Sequence, residues 1–267
     1  MEEIKNTINT EEINKFSQLA DEWWKIDGKF KTLHKFNPIR LKFIIDQTIT
    51  IFNCDHKNEL PLKGIKILDI GCGGGLLSEP LSRLGAEVTG VDAAENNIKA
   101  ASIHAKKENL EINYINGDID SLNPDEKFDI ILNMEVIEHV DNTDYFMKSC
   151  CDRVRSNGLI FMATINKTLF SLIFAKYMAE YVLGFLPKGT HDWNKFLSPE
   201  EIYAFLIKNQ FNVRETLGVN YNPIKNNWSI SSNKSNTTIN KLTHYNVLFK
   251  RSLKKISFII SYNGISP

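Results

Sequence analysis

Glu135, Glu138 and His139 occur in the string MEVIEHV (134–140) at spacings i, i+3 and i+4, which a helical segment would bring to one face. An imidazole titrates around pH 6.5 and is the side chain best suited to take a proton near neutrality, and a neighbouring carboxylate can orient it. The same two carboxylates and imidazole can instead hold a divalent cation such as Mg²⁺, whose charge lowers the pKa of a bound hydroxyl. Residue types and spacing leave both open, beside a bland third reading in which an acid pair opens a helix and the histidine ties down a loop.

A second constellation lies upstream. The stretch LDIGCGGGLLSEPL (68–81) places Gly71, Gly73, Gly74 and Gly75 between an apolar run and a helix-like segment. Unpaired N–H groups at a strand-to-helix turn can receive an anion, and glycine lets a ligand come close. Asp92 ends the next apolar run, where a carboxylate can accept both hydroxyls of a ribose, so a nucleoside is expected. Position 76 is Leu where a dinucleotide loop would carry its third glycine, and Asp69 stands two residues before the first glycine. An anion there repels a pyrophosphate and attracts a sulfonium or ammonium, by about 1 to 4 kcal/mol at about 4 Å. The loop therefore favours S-adenosyl-L-methionine, with Asp118, after a third apolar run, placed to meet the adenine amino group. The bland alternative is a tight turn with no ligand.

The elements that must position these groups can be read from periodicity. Apolar runs IKILDI (65–70), EVTGVD (87–92), INYING (112–117), FDIILN (128–133) and LIFMAT (159–164) alternate with helical spacing. That alternation predicts a doubly wound α/β sheet of the Rossmann type, parallel and covered on both faces. Two helices should precede it as an N-terminal cover over 1–60. One starts near Thr10 with Ile13, Phe16, Ala20, Trp23 and Trp24 on a face; the other starts at Asn37-Pro38, with Asn as cap and Pro at the first helical position. The core should span 61–228, with a helix-loop insertion at about 167–197 after the fifth strand. Ser198-Pro199-Glu200-Glu201 reads as a capped helix start, and the tail, 229–267, is rich in Asn, Ser, Thr and Lys.

Composition excludes more than it assigns. In 267 residues, 42% hydrophobic, 32 basic residues balance 32 acidic ones. A sizeable core is affordable and no global field draws the chain to nucleic acid. Cys54, Cys72, Cys150 and Cys151 form no zinc-binding spacing, and reduced thiols are expected. The acidic start MEEIKNTINTEE fits a cytoplasmic protein.

With those motifs in view the chain resembles the class I S-adenosylmethionine-dependent methyltransferases, and within them the ubiquinone biosynthesis O-methyltransferases. The narrower likeness rests on FKTLHKFNPIRL (30–41), LDIGCGGGLLSEPLSRLGAEVTGVD (68–92), MEVIEHV (134–140), PKGTHDWNKF (187–196) and GVNYNPI (218–224), and covers about residues 10 to 228. The resemblance implies methylation of phenolic hydroxyls on polyprenylated rings, at two steps of ubiquinone synthesis. It implies a cofactor site at Arg40, Gly71, Asp92 and Met134, and a base or a Mg²⁺ site at Glu135, Glu138 and His139. Physics is compatible with each: Arg40 can fork onto the cofactor carboxylate, and Met134 offers backbone groups and a soft side chain beside the sulfonium.

A polyprenyl substrate resides in lipid. Residues 168–186 (TLFSLIFAKYMAEYVLGFL) are apolar nearly all round, and the segment is expected to dip into the membrane surface or to pack as a core helix. His191, in the loop that follows, is a second candidate base or lid residue. A ubiquinone-biosynthesis complex on the inner face of the membrane is the expected setting. The rival readings are a methyltransferase of another small phenol or acid, and a nucleoside-binding scaffold, which would not need Glu135, Glu138 and His139. The family's members end with a short closing strand that HYNVLFKR (244–251) can supply, and the final SLKKISFIISYNGISP has no counterpart in them.

Overall fold

Five apolar runs form five parallel strands in the computed structural model, which describes residues 10, 13–14, 19–165, 197, 199–222, 227–231 and 253–263. They are β1 (Lys66–Ile70), β2 (Glu87–Asp92), β3 (Asn113–Asn116), β4 (Phe128–Met134) and β5 (Val154–Ile165). Their order in the sheet is β3-β2-β1-β4-β5. The order reverses between β1 and β4, so the carboxyl ends of these neighbours open a crevice at the switch point.

Helices cover both faces. On one face α1 (Lys31–Ile51) and α2 (Ser78–Arg83) bury Phe36, Phe43, Ile44 and Leu81 with Ile67, Ile130 and Leu132 of the sheet. α3 (Glu95–Lys107) follows β2. On the opposite face α4 (Thr143–Asp152) and α5 (Pro199–Lys208) set Phe146, Met147, Ile202 and Leu206 against Leu68, Ile131 and Ile160. Covered on both sides, central strands are buried at nearly every position rather than alternately, as β4 is. All four cysteines are free.

Three further strands complete the sheet: β6 (Phe211–Asn222), β7 (Asn227–Ser231) and β8 (Leu253–Asn263). β8 lies between β5 and β6, antiparallel to both. The closing strand thus comes from the terminal segment that has no counterpart in the resemblance, and its Ile, Phe and Tyr content suits a strand. HYNVLFKR (244–251) lies outside the described residues, as do the 168–186 segment and His191.

The second N-terminal helix differs from expectation. α1 begins six residues before Asn37 and runs through Pro38. Proline cannot donate the helical bond at its position, yet Phe36, Phe43 and Ile44 dock on the sheet from both sides of it, and this packing keeps the helix continuous. Asn37 is therefore no cap. Ahead of α1, residues 10, 13 and 14 are helical and Ala20–Glu22 form a single 3₁₀ turn; Phe16 lies outside the described residues. Among the described residues no helix is long and apolar enough to cross a membrane.

Candidate active site

The glycine loop leaves β1 with Gly71, Gly73 and Gly75 in the left-handed region, at φ 64°, 55° and 86°. Asp92, at the carboxyl end of β2, fastens this loop: it accepts from Gly73 N at 2.9 Å, Ala94 N at 2.8 Å and Asn97 Nδ2 at 3.2 Å. Burial raises its carboxyl above the usual range, and these donors pull it back. Beside the loop opens a cavity of about 310 Å³, lined among others by Arg40, Gly71, Asp92, Met134, Glu135 and His139. Its size suits one small cofactor. Each sequence-expected cofactor residue thus reaches one cavity. Asp118 lines it as well, and its carboxylate also accepts from Asp120 N at 3.1 Å and the Ser121 hydroxyl at 3.2 Å.

Arg40 enters from α1 and is almost wholly buried. It donates from Nη1 to Glu135 Oε2 at 2.8 Å and from Nη2 to Asn37 Oδ1 at 2.8 Å. Asn37 in turn donates to Leu76 O at 2.7 Å, tying α1 to the end of the glycine loop. Arg40 Nε and Glu135 Oε1 are buried with no hydrogen-bond partner. A donor and an acceptor so placed fit a ligand carrying both a carboxylate and an ammonium, as S-adenosyl-L-methionine does.

Asp69 is more deeply covered, 2% exposed, and accepts from the Ser78 hydroxyl at 2.6 Å. Burial pushes its carboxyl from 3.8 up to about 6. The folded state then holds this proton more tightly than the unfolded chain, so the stability it contributes is present below pH 4 and lost as pH rises through 6. The whole effect is at most about 3 kcal/mol. Asp69→Asn is expected to flatten the pH dependence of Tm between pH 4 and 7 without lowering Tm at pH 7.5. A bound sulfonium favours the ionised acid, so affinity for S-adenosyl-L-methionine relative to its neutral-sulfur product should rise from pH 5 to 7. A ratio independent of pH would remove Asp69 from sulfonium recognition.

The string MEVIEHV does not form the helical face expected of it. Glu135 adopts φ 62°, and only Ile137–His139 make one 3₁₀ turn. This divides the three residues: Glu135 pairs with Arg40, and His139 lines the cavity beside Val136, Val140 and Phe146. Glu138 is buried at 7% exposure and is absent from the cavity wall. Among the described residues no group of three His, Cys, Asp or Glu is arranged to hold a metal ion, so the expected three-residue grouping is not assembled here. The physical reason is the left-handed residue at 135, which breaks the i, i+3, i+4 register.

Sequence reasoning missed the aromatic clamp on the loop, since a Trp pair reads as ordinary cover packing. Trp23 stacks on Phe30 at 4.0 Å and donates from its indole to Asn97 Oδ1 at 2.8 Å. Trp24 donates to Gly74 O at 2.9 Å and stacks on His104 at 3.5 Å, and His104 Nδ1 bonds the buried Glu79 at 2.8 Å. A Cβ on Gly73 would lie 2.5 Å from the Trp23 ring. Gly73→Ala combines a left-handed backbone with overpacking, a cost of about 2 to 4 kcal/mol. It is expected to lower Tm by several degrees, shift tryptophan emission and weaken cofactor binding at least tenfold. Unchanged emission and affinity would show the clamp to be loose.

Comparison with known proteins agrees with this geometry. Residues 68–162 match a methyltransferase domain family. The chain is 48% identical over 240 residues to a ubiquinone biosynthesis O-methyltransferase of Pelagibacter ubique, covering 90% of this chain and 98% of that one. A ubiquinone biosynthesis O-methyltransferase of Bartonella tribocorum is 46% identical over 253 residues, covering 94% and 100%. Among solved structures, magnesium protoporphyrin IX methyltransferase from Synechocystis with bound S-adenosyl-L-homocysteine aligns over 96% of this chain and 95% of that one, with TM-score 0.62 at 15% identity. That likeness establishes the fold.

Proposed function

We propose that this chain, which belongs to the family of ubiquinone biosynthesis O-methyltransferases, methylates phenolic hydroxyls of polyprenylated aromatic intermediates at both O-methylation steps of ubiquinone synthesis. It is an S-adenosyl-L-methionine-dependent O-methyltransferase with the class I fold. The finer reading is carried by one observation: His139 stands in the wall of the cavity that also holds Gly71 and Asp92.

When bound, S-adenosyl-L-methionine supplies a methyl carbon on a sulfonium, open to in-line displacement by oxygen. Asp92 is placed to accept the ribose hydroxyls, Gly71 lets the ligand approach the backbone, and Met134 offers a soft side chain. Arg40 and Glu135 face the amino-acid end. His139 takes the phenol proton. Val136, Val140 and Phe146 give this side of the cavity the apolar character an aromatic ring requires, and exclude water from the oxygen. No step is assigned to Mg²⁺.

The apolar stretch 168–186 supports a second element of the proposal: contact with the membrane surface, where the polyprenyl chain resides, within a biosynthetic complex on the cytoplasmic side. Flotation with anionic liposomes tests it, since charged substitutions at Phe170 and Phe174 should abolish co-migration. For the reaction, purified protein is supplied with labelled S-adenosyl-L-methionine and either a 2-polyprenyl-6-hydroxyphenol or a demethylated ubiquinol, with Mg²⁺ or with chelator. Methyl ether from both substrates under both conditions is expected. Cofactor binding without product from either substrate would overturn the substrate assignment, and product only with Mg²⁺ would overturn the role given to His139.

A further inference from the structure

We infer that Asn97 is a positioning residue that couples closure of the N-terminal segment 19–30 over the glycine loop to recognition of the ribose by Asp92. The inference rests on the ribose assignment above and extends it to a segment that reaches the loop from outside the sheet.

Three observations carry it. The first is a continuous chain of hydrogen bonds between covered groups: Trp23 Nε1 donates to Asn97 Oδ1 at 2.8 Å, and Asn97 Nδ2 donates to Asp92 Oδ1 at 3.2 Å. Asn97 is 2% exposed and Trp23 7%. An indole N–H only donates and a carboxylate only accepts, so the amide between them has a single usable orientation. Once the indole leaves, Oδ1 is a buried acceptor without its donor, and nothing holds Nδ2 on Asp92.

The second is the condition of Asp92. Burial raises its carboxyl, and bonds from Ala94 N, Gly73 N and Asn97 Nδ2 draw it back toward the ionised form. Two of these donors are backbone groups fixed by the chain around them, and the third is a side chain whose direction depends on Trp23. An ionised carboxylate accepts a hydroxyl more strongly than a neutral acid does, so Asn97 acts on the ribose through Asp92.

The third is place. Trp23, Phe30 and Leu33 stand in the cavity wall together with Asn97 and Asp92. Trp23 stacks on Phe30 at 4.0 Å, and a Cβ added to Gly73 or Gly74 would meet its side chain at 2.5 or 2.4 Å. The indole that seats the segment on the loop is thus the one that aligns the amide. Such coupling is reciprocal: the closed segment strengthens ribose binding by the factor by which the ribose stabilises the closed segment. Trp24 provides the contrast, because it holds the same segment down by stacking on His104 and spends its one N–H on Gly74 O at 2.9 Å.

Calorimetry on the full chain compares S-adenosyl-L-homocysteine with its 2′,3′-dideoxy analogue in wild type, Trp23→Phe, Asn97→Leu, the double variant and Trp24→Phe. Wild type is expected to prefer the ribose ligand by about 30-fold or more, and Trp23→Phe and Asn97→Leu each to lower that preference by about 5- to 30-fold. The double variant should lower it no further than either single one, because both break the same relay. Trp24→Phe should weaken both ligands equally and keep the preference. In hydrogen exchange at saturating ligand, S-adenosyl-L-homocysteine should protect residues 19–30 of wild type more than the dideoxy analogue does.

The inference is overturned if Trp23→Phe or Asn97→Leu weakens both ligands by one factor and leaves the preference within twofold of wild type, the behaviour of a cover that only packs. It is also overturned if Trp24→Phe lowers the preference as much as Trp23→Phe, or if both ligands protect residues 19–30 of wild type equally, a readout that needs no variant. Wild-type protein that binds the two ligands alike would sink the ribose assignment to Asp92, and the inference with it.

Discussion

Replacing His139 by alanine is expected to lower kcat by about 100- to 10,000-fold, the usual contribution of a positioned general base. Affinity for S-adenosyl-L-homocysteine should stay within about threefold, because Arg40 of α1, Asp92 and Met134 at the ends of β2 and β4, and Gly71 of the glycine loop all lie outside this turn. The separation of effects is the diagnostic: a merely structural histidine in this turn would disturb Val136 and Val140, which flank the same cavity, and affinity would fall together with turnover. One further readout distinguishes base catalysis from packing. Added imidazole should restore part of the variant's rate by entering the space vacated at the cavity wall. Turnover within threefold of wild type would remove His139 from the mechanism.

The second large effect concerns Asp92. Asp92→Ala is expected to weaken S-adenosyl-L-homocysteine by about 30- to 1,000-fold, equivalent to about 2 to 4 kcal/mol. Two charge-assisted bonds to the ribose would exceed this, but removing the acid also relieves the cost of a buried charge, visible in the upward push on its carboxyl. Loss of its bond to Gly73 N adds to the penalty by unfastening the glycine loop. Because the ribose is common to both ligands, 5′-methylthioadenosine should weaken by a similar factor. An Asp92→Ala variant that binds both ligands as wild type does would show that the ribose lies elsewhere.

Particular residues mark how far the sequence could be read. The five parallel strands fall where the apolar runs lie, since strands covered on both faces are buried at nearly every position, as β4 is. Gly71 and Asp92 could be placed at one site from sequence because their spacing is local: the glycine turn, α2 and β2 separate them. Asn37 was misread as a helix cap because capping and buried strut use the same amide, and only the docking of α1 on the sheet chooses between them. Trp23 and Trp24 carried an aromatic signal with no address. Their target, the face of Gly73 and Gly74, lies fifty residues on.

The sequence by itself determined the fold class and the cofactor loop, because periodicity, turn chemistry and the ordering of acids around glycines act over short stretches of chain. It also marked MEVIEHV as chemically important. What those residues do was decided by tertiary structure. A left-handed backbone at Glu135 breaks the helical register that would have joined it to Glu138 and His139, and a buried guanidinium from a helix ninety-five residues upstream takes its carboxylate. Opposite charges so far apart in sequence can be paired only by the packing of α1 against the sheet, and a buried charge cannot remain without such a partner. The same string therefore divides between the ion pair with Arg40 and the stretch of cavity wall that carries His139.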